Sequence, residues 1–326
     1  MPWYDILNQY KYTSYMIHEK EYALETENLQ KSQGAEGASA TQEKTPETPD
    51  NRPVAIRVKN LYKIYRVGET KVRALNGVDF ELYKGEFVAI VGTSGSGKST
   101  LLNMLAGLEK PSKGEIEIGK VHIEKLTERQ LVTFRREKVG FIFQAYNLLN
   151  TMNAVENVAL PLAFRGISKR ERLKRARRFM KLVGVGDQAN HMPNQMSGGQ
   201  QQRVGIARAL VVNPQIIFAD EPTGNLDSKT TMEVLRLMQK IVREQNQTLV
   251  MVTHDNNLAS YADRRIRIVD GKIVGIEVGA RPDGELTDRS EACHQEGGQG
   301  AEQDAARLPE QSDREDITVK ETRRAQ

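Results

Sequence analysis

Short apolar runs separated by turn residues mark the first part of the chain. From Val54 to Val91 these runs are alternating or continuously apolar, which is typical of β-strands. From Ile216 to Val274 strand-like runs alternate with helix-like runs, and this order predicts a parallel α/β sheet. The predicted strands are Ile56–Val58, Val72–Leu75, Val78–Leu82, Phe87–Val91, Ile216–Ala219 and Leu249–Val252.

Between these regions, from about Thr127 to Met196, the pattern is mostly helical. Ser168 followed by Glu171 predicts a capping box at one helix start. Gly184 suits the end of that helix. Its basic residues between 169 and 181 are interpreted as a solvated face, with an anionic membrane as the alternative. Its apolar face is predicted to hold Leu173, Ala176, Met180 and Val183.

Two stretches lack the large apolar side chains that a core requires. Residues 30–53 are predicted to be a disordered linker and residues 280–326 a disordered tail. They flank a compact domain at 54–279 and a short N-terminal extension at 1–29. That extension holds Trp3 and five tyrosines. It is interpreted as a docking helix, a marginal segment, or residues upstream of a true start at Met16.

Composition and charge narrow the cellular compartment and the classes of partner that the protein can have. No apolar run approaches the roughly 18–20 residues that span a bilayer, and the N-terminus has no apolar signal core. The single cysteine, Cys293, excludes a disulfide framework and fits the reduced cytosol. The net charge is +4, with both signs interspersed, so no nucleic-acid partner is expected.

A glycine-rich loop carries the clearest chemistry. The strand Phe87–Val91 runs into G-x-x-x-x-G-K-S, and leucines at helical spacing follow. Glycines let backbone N–H groups approach phosphate oxygens. Lys98 can reach the β- and γ-phosphates, and the Ser99 hydroxyl can bind Mg²⁺. The predicted nucleotide contacts are Gly92, Thr93, Ser94, Gly95, Ser96, Gly97, Lys98, Ser99 and Thr100.

An acidic pair follows a second apolar strand. Ile216–Ala219 delivers Asp220 and Glu221 to the carboxyl edge of the sheet, beside the glycine loop. Asp220 is predicted to hold Mg²⁺, directly or through water. Glu221 is predicted to accept a proton from the attacking water.

The run from Met196 to Leu210 begins Met-Ser-Gly-Gly-Gln. Ser197 and Gln200 satisfy the capping-box pattern, and Gly198 with Gly199 leaves a helix N-terminus open to phosphate. This run resembles the signature sequence of ABC ATPases, and the resemblance extends over about Val54–Gly279. Ser197, Gly198, Gly199 and Gln200 are therefore further candidate nucleotide contacts.

The resemblance implies a P-loop NTPase fold and several residue roles. An ABC ATPase domain combines a mainly parallel α/β core sheet, an N-terminal antiparallel β-subdomain and a helical signature subdomain. Tyr65 matches the aromatic residue that stacks on adenine. Gln144 matches the glutamine that senses Mg²⁺ and water. Asp227 matches the loop that crosses to a second subunit. His254 matches the histidine that contacts the γ-phosphate.

The resemblance also implies partners. Two copies would pack head to tail around ATP and Mg²⁺, with Lys98, Ser99, Asp220, Glu221 and His254 in cis and Ser197 and Gly199 in trans. A membrane permease would contact Gln144–Leu149, placing the chain at the cytoplasmic face of the membrane.

Finer matches favour one subfamily. Phe143–Leu149 and Glu221–Asp227 resemble the ATPases of lipoprotein-release, macrolide-export and antimicrobial-peptide-resistance systems. A cell-division-type complex and a soluble non-transport ABC ATPase are the alternatives.

Overall fold

The computed structural model describes residues 52–68 and 70–279. The predicted extension at 1–29, nearly all of the predicted linker, the predicted tail at 280–326 and Cys293 lie outside the described residues. In chain order the elements are β1 (Val54–Val67), β2 (Thr70–Tyr83), β3 (Phe87–Val91), α1 (Lys98–Leu105), β4 (Lys113–Ile118), β5 (Val121–His122), α2 (Glu128–Lys138), β6 (Val139–Ile142), α3 (Ala154–Phe164), α4 (Lys169–Leu182), α5 (Gly198–Leu210), β7 (Ile216–Asp220), α6 (Ser228–Glu244), β8 (Thr248–Thr253), α7 (Asn256–Ala259), β9 (Arg264–Val269) and β10 (Lys272–Val278).

The strands form two sheets, as the fold-class prediction required. An antiparallel sheet has the order β2-β1-β4-β5, and a six-stranded sheet has the order β10-β9-β3-β8-β7-β6. In the second sheet β9, β3, β8, β7 and β6 pair in parallel, while β10 pairs antiparallel with β9. No helix in the described ranges is long and apolar enough to cross a bilayer.

The central strand β3 serves two cores, because successive side chains of a strand point to opposite faces. Val88 and Ile90 pack with the leucines of α1 and the apolar residues of the antiparallel sheet. Phe87, Ala89 and Val91 pack instead with helices α3 to α6. All five residues of β3 are buried, so the loop that follows this strand starts from a rigid point.

Two strand predictions were wrong in extent. Val72–Leu75 and Val78–Leu82 are parts of one strand, β2, and residues Asn76 and Gly77 do not interrupt it. An irregularity in the pairing with β1 accommodates Gly77, since Tyr62 pairs with Asn76 and Leu61 with Val78. Asn76 also donates its N–H to the Gly271 carbonyl at 2.8 Å. A turn-forming pair can therefore lie inside a strand when bulges accommodate it.

The interpretation of 127–196 as mostly helical missed strand β6. It follows α2 without a turn residue and pairs in parallel with β7, from Val139 against Ile216 to Ile142 against Ala219. Gly140 lets β6 pack closely against α5, since a Cβ there would lie 2.8 Å from the Ala209 carbonyl oxygen. Tertiary pairing thus overrides the helical pattern on either side.

The capping box predicted before α4 is only half formed. The Ser168 hydroxyl accepts the Glu171 N–H at 3.4 Å, but the Glu171 carboxylate binds the Arg175 guanidinium at 2.8 Å instead of reaching back. Ala176, Met180 and Val183 are buried as predicted, and Leu173 is half-buried. Gly184, with φ of +75°, follows at the end of the helix.

One buried asparagine organises the loop between β6 and α3. Asn157, fully buried in α3, accepts the Leu149 N–H at 2.7 Å. Its amide donates to the carbonyl oxygens of Leu149, Met152 and Asn153 at 2.9–3.1 Å. The side chain therefore replaces the secondary structure that this segment lacks.

Replacing Asn157 with Ala should destabilise the protein by about 2–4 kcal/mol, because the loop loses the hydrogen bonds that this buried side chain makes to its backbone. Urea unfolding measures the change. Asn150→Ala, in the exposed part of the same loop, is the control and should stay within about 0.5 kcal/mol of the parent. Equal stability of the two variants would contradict this role of Asn157.

Candidate functional site

The glycine loop curls between the end of β3 and the start of α1. Gly97 precedes α1 in a left-handed conformation, with φ of +97°, and supplies no capping side chain to the helix N-terminus. A Cβ at Gly97 would overlap the Ala74 carbonyl oxygen, and one at Gly92 would overlap that of Ile268. The loop therefore packs tightly against the strands behind it and presents backbone N–H groups in front.

Lys98 and Ser96 are buried polar groups on this loop. The Lys98 ammonium is 7% exposed and donates to the Thr93 carbonyl at 2.7 Å. Burial lowers its pKa, while the charges of Glu221 and Asp220 oppose that shift. The Ser96 hydroxyl oxygen is buried with no hydrogen-bond partner. A bound phosphate would supply the charge and the acceptor oxygens that this cluster lacks.

Ser99 and Asp220 meet across the sheet edge, as predicted. The Ser99 hydroxyl donates to Asp220 Oδ1 at 3.3 Å. Hydroxyl and carboxylate oxygens are ligands that Mg²⁺ prefers when phosphate oxygens complete the shell. No cluster of three His, Cys, Asp or Glu side chains suited to a metal occurs in residues 52–68 and 70–279.

Glu221 and His254 also lie together. The Glu221 carboxylate and His254 Nδ1 are 2.9 Å apart, with the imidazole side chain 64% exposed and the carboxylate side chain 20% exposed. The Glu221 backbone has φ of +40° and donates to the Val252 carbonyl at 3.0 Å. A non-glycine residue in this region is strained, and here it directs a carboxylate out of the sheet edge.

Gln144 approaches the same place from β6. A Cβ at Gly224 would lie 3.0 Å from Gln144 Nε2 and 3.5 Å from Glu221 Oε2, so both side chains border this glycine. Asn225 donates from its amide to the Gln144 carbonyl at 3.0 Å. The structure thus brings together the groups that the sequence placed on four separate segments.

The signature residues begin α5. The predicted capping box is present: Gln200 N–H donates to Ser197 Oγ at 3.3 Å, and Ser197 N–H donates to Gln200 Oε1 at 2.9 Å. Gly198 and Gly199 are less open than predicted, because Tyr146 and Thr230 cover one side of them. Within residues 70–279 no hydrogen bond joins this cap to the glycine loop.

Two predicted contacts have partners inside the chain. Asp227 caps α6, accepting the Thr230 hydroxyl at 2.7 Å and its N–H at 3.0 Å, and these bonds lower the pKa of Asp227. The Tyr65 hydroxyl donates to Glu109 at 2.7 Å, and Lys63 lies 5.1 Å from the Tyr65 ring centroid.

The apolar residues after Gln144 lie in the segment that was predicted to contact a permease. Tyr146, Leu148 and Leu149 are half-buried, and Leu148 packs on the core. Sequence reasoning also missed Asn225 and Arg208, which bind this loop. Both side chains donate to backbone carbonyls, which carry no sequence signal.

Comparison with known proteins gives this geometry a context. The profile of the family described as ABC transporter matches residues 75–224. An uncharacterized ABC transporter ATP-binding protein of Thermotoga maritima is 50% identical over 218 residues, 67% of this chain and 93% of that protein. The macrolide export ATP-binding/permease protein MacB of Marinobacter nauticus is 47% identical over 223 residues, 68% of this chain and 34% of that protein.

A solved structure is also similar. It is the dimeric post-hydrolysis state of the ATP-binding cassette MJ0796 bound to ADP and Pi, with 46% sequence identity and a TM-score of 0.65. The match covers 68% of this chain and 98% of that one.

Gly97→Ala should cost about 2 kcal/mol or more of stability and lower ATP affinity, since alanine suits neither the left-handed backbone nor the space at Ala74. Calorimetry and nucleotide titration measure both effects. Gly275→Ala is the matched control, because nothing lies within 4 Å of a Cβ there. If both alanine variants bound ATP like the parent, the close packing of the loop would be irrelevant to binding.

Proposed function

We propose that this chain, which belongs to the family of ABC transporter ATP-binding proteins, hydrolyses ATP at the site described above. The residues of that site are Lys98, Ser99, Asp220, Glu221 and His254. The observation that carries the proposal is the convergence of these side chains at the ends of three neighbouring parallel strands. A buried ammonium and a buried, unpartnered hydroxyl beside a glycine loop support a phosphate ligand there.

Each residue then has a chemical task. Backbone N–H groups of the loop and the Lys98 ammonium bind the β- and γ-phosphates. The Glu221 carboxylate accepts a proton from the attacking water, and its bond to His254 Nδ1 orients both side chains. Gln144 borders Glu221 and would contact the same water. Tyr65 would stack on adenine.

Ser99 and Asp220 are the proposed Mg²⁺ ligands, with Gln144 as a further contact. When bound, Mg²⁺ neutralises charge that develops on the phosphate oxygens. Ser99 and Asp220 orient each other through their hydrogen bond before the nucleotide arrives.

The proposed active form is a head-to-tail dimer. Ser197, Gly198, Gly199 and Gln200 of one copy would close on the phosphates held by the other, with Asp227 near the crossing. The dimeric cassette described above supports this arrangement. ATP would then join the two copies, and hydrolysis would release them.

The chain would drive a separate permease from the cytoplasmic face of the membrane, through Gln144–Leu149. Similarity to macrolide export proteins supports a role in export, lipoprotein release or antimicrobial-peptide resistance. Near full-length similarity to ATP-binding proteins supports a permease on another polypeptide.

Glu221→Gln should lower kcat by about 10²–10⁴, because the general base is lost, while ATP binding persists. Single-turnover kinetics measure hydrolysis, and gel filtration with ATP should show a stabilised dimer. Glu244→Gln, at the far end of α6, is the control. Near-normal turnover in Glu221→Gln would remove Glu221 from this role.

Mixing two inactive variants tests the shared site. Lys98→Ala disables the loop and Ser197→Phe blocks the cap, so each homodimer should be inactive. A mixed dimer retains one intact site, and an equal mixture should recover about a quarter of parental activity if the two sites act independently. No recovery, with both variants folded and mixed dimers detected, would indicate sites contained in single chains.

A further inference from the structure

Two residues in the loop after Gln144 adopt a conformation that side chains disfavour. Tyr146 and Asn147 have φ of +57° and +50°. At such angles the Cβ crowds a backbone carbonyl, and asparagine tolerates this better than tyrosine does. Two consecutive left-handed residues therefore need contacts from elsewhere to hold them.

Arg208, in the last turn of α5, supplies these contacts. Its Nη1 donates to the Asn147 carbonyl at 2.5 Å and its Nη2 to the Tyr146 carbonyl at 2.7 Å. The guanidinium also lies 5.8 Å from the centroid of the Phe143 ring. A planar guanidinium can bind two neighbouring carbonyls at once, whereas a lysine ammonium offers a single centre. Arg208 thus clamps both left-handed residues together.

The clamped segment joins two parts of the site. The Tyr146 hydroxyl donates to the Asn225 carbonyl at 3.4 Å and would lie 2.8 Å from a Cβ at Gly198. Asn225 in turn donates to the Gln144 carbonyl at 3.0 Å. Burial raises the pKa of Tyr146. A shift of Tyr146 would therefore disturb both Gln144 and the start of α5.

We propose that Arg208 is a positioning residue for hydrolysis: its two bonds hold Tyr146 and Asn147 left-handed and thereby fix Gln144 beside Glu221. This inference rests on the role proposed above for Gln144. Arg208 contacts no reacting atom, so its effect passes through the loop. Loss of the clamp should slow hydrolysis and leave nucleotide affinity nearly unchanged.

The direct test is Arg208→Gln in the full chain, with ATP turnover and nucleotide titration measured together. The kcat should fall about tenfold, because small misplacements of a catalytic group carry costs of this order, while KM stays within about twofold. Arg208→Lys keeps the charge but not the forked shape of the guanidinium, so its kcat should lie between those of the parent and Arg208→Gln. It also serves as the working variant if Arg208→Gln does not fold.

A second substitution separates the clamp from general packing. Glycine adopts positive φ without strain. In a chain carrying Asn147→Gly, the Arg208→Gln change should therefore reduce kcat only about twofold. Asn246→Gly is the matched control, because Asn246 has φ of +48° in a loop outside the site. In that background the tenfold loss should persist. Equal losses in both backgrounds, or unchanged kcat, would overturn the proposal.

Hydrogen exchange in the nucleotide-free chain measures how well the clamp protects the loop, independently of ATPase activity. Arg208→Gln should speed exchange in residues 143–152, and Asn147→Gly should reduce that difference. If exchange responds in this way but turnover does not, the clamp exists and the role of Gln144 fails. If Glu221→Gln leaves turnover intact, the proposed function fails instead. Unchanged exchange in Arg208→Gln overturns the clamp itself.

Discussion

The site depends on the pairing of β3, β8 and β7 as neighbouring parallel strands. Because they run in the same direction, their carboxyl ends meet at one edge, where Val91 is level with Thr253 and Asp220 with Val252. The glycine loop, the acidic pair and His254 each begin where one of these strands stops. The buried strands thus bring Ser99 and Asp220, which are 121 residues apart in the sequence, into hydrogen-bond range of each other.

Strain appears where the backbone leaves this edge. Glu221, Tyr146 and Asn147 all have positive φ, and each is held by a backbone hydrogen bond or by the Arg208 guanidinium. Such conformations persist only when the surroundings fix them. Here they aim a carboxylate and a loop at the place where the Lys98 ammonium and the Ser96 hydroxyl are buried.

Local patterns predicted the parts of the fold that depend on local chemistry. The strand before Gly92, the cap at Ser197 and the acidic pair after Ile216–Ala219 each follow from neighbouring residues. The extent of β2 and the strand β6 depend on pairing with distant segments, so periodicity alone could not find them. The missing half of the Ser168 cap has a local cause, because Glu171 binds Arg175 four residues further on. The roles of Asn157 and Arg208 could not be predicted from the sequence either, since their partners are backbone carbonyls that carry no sequence signal.

The helix α5 connects the two halves of the proposed shared site. Its first residues form the cap that would face a second copy, and Arg208 in its last turn holds the loop after Gln144. A helix transmits displacement between its ends as a rigid body, so closing on a partner's nucleotide would also move Arg208 and its loop. Displacement could also pass the other way along the helix, because force applied at Gln144–Leu149 would tilt α5 and its cap. Coupling between the proposed permease and the nucleotide would then pass through this helix and its clamp.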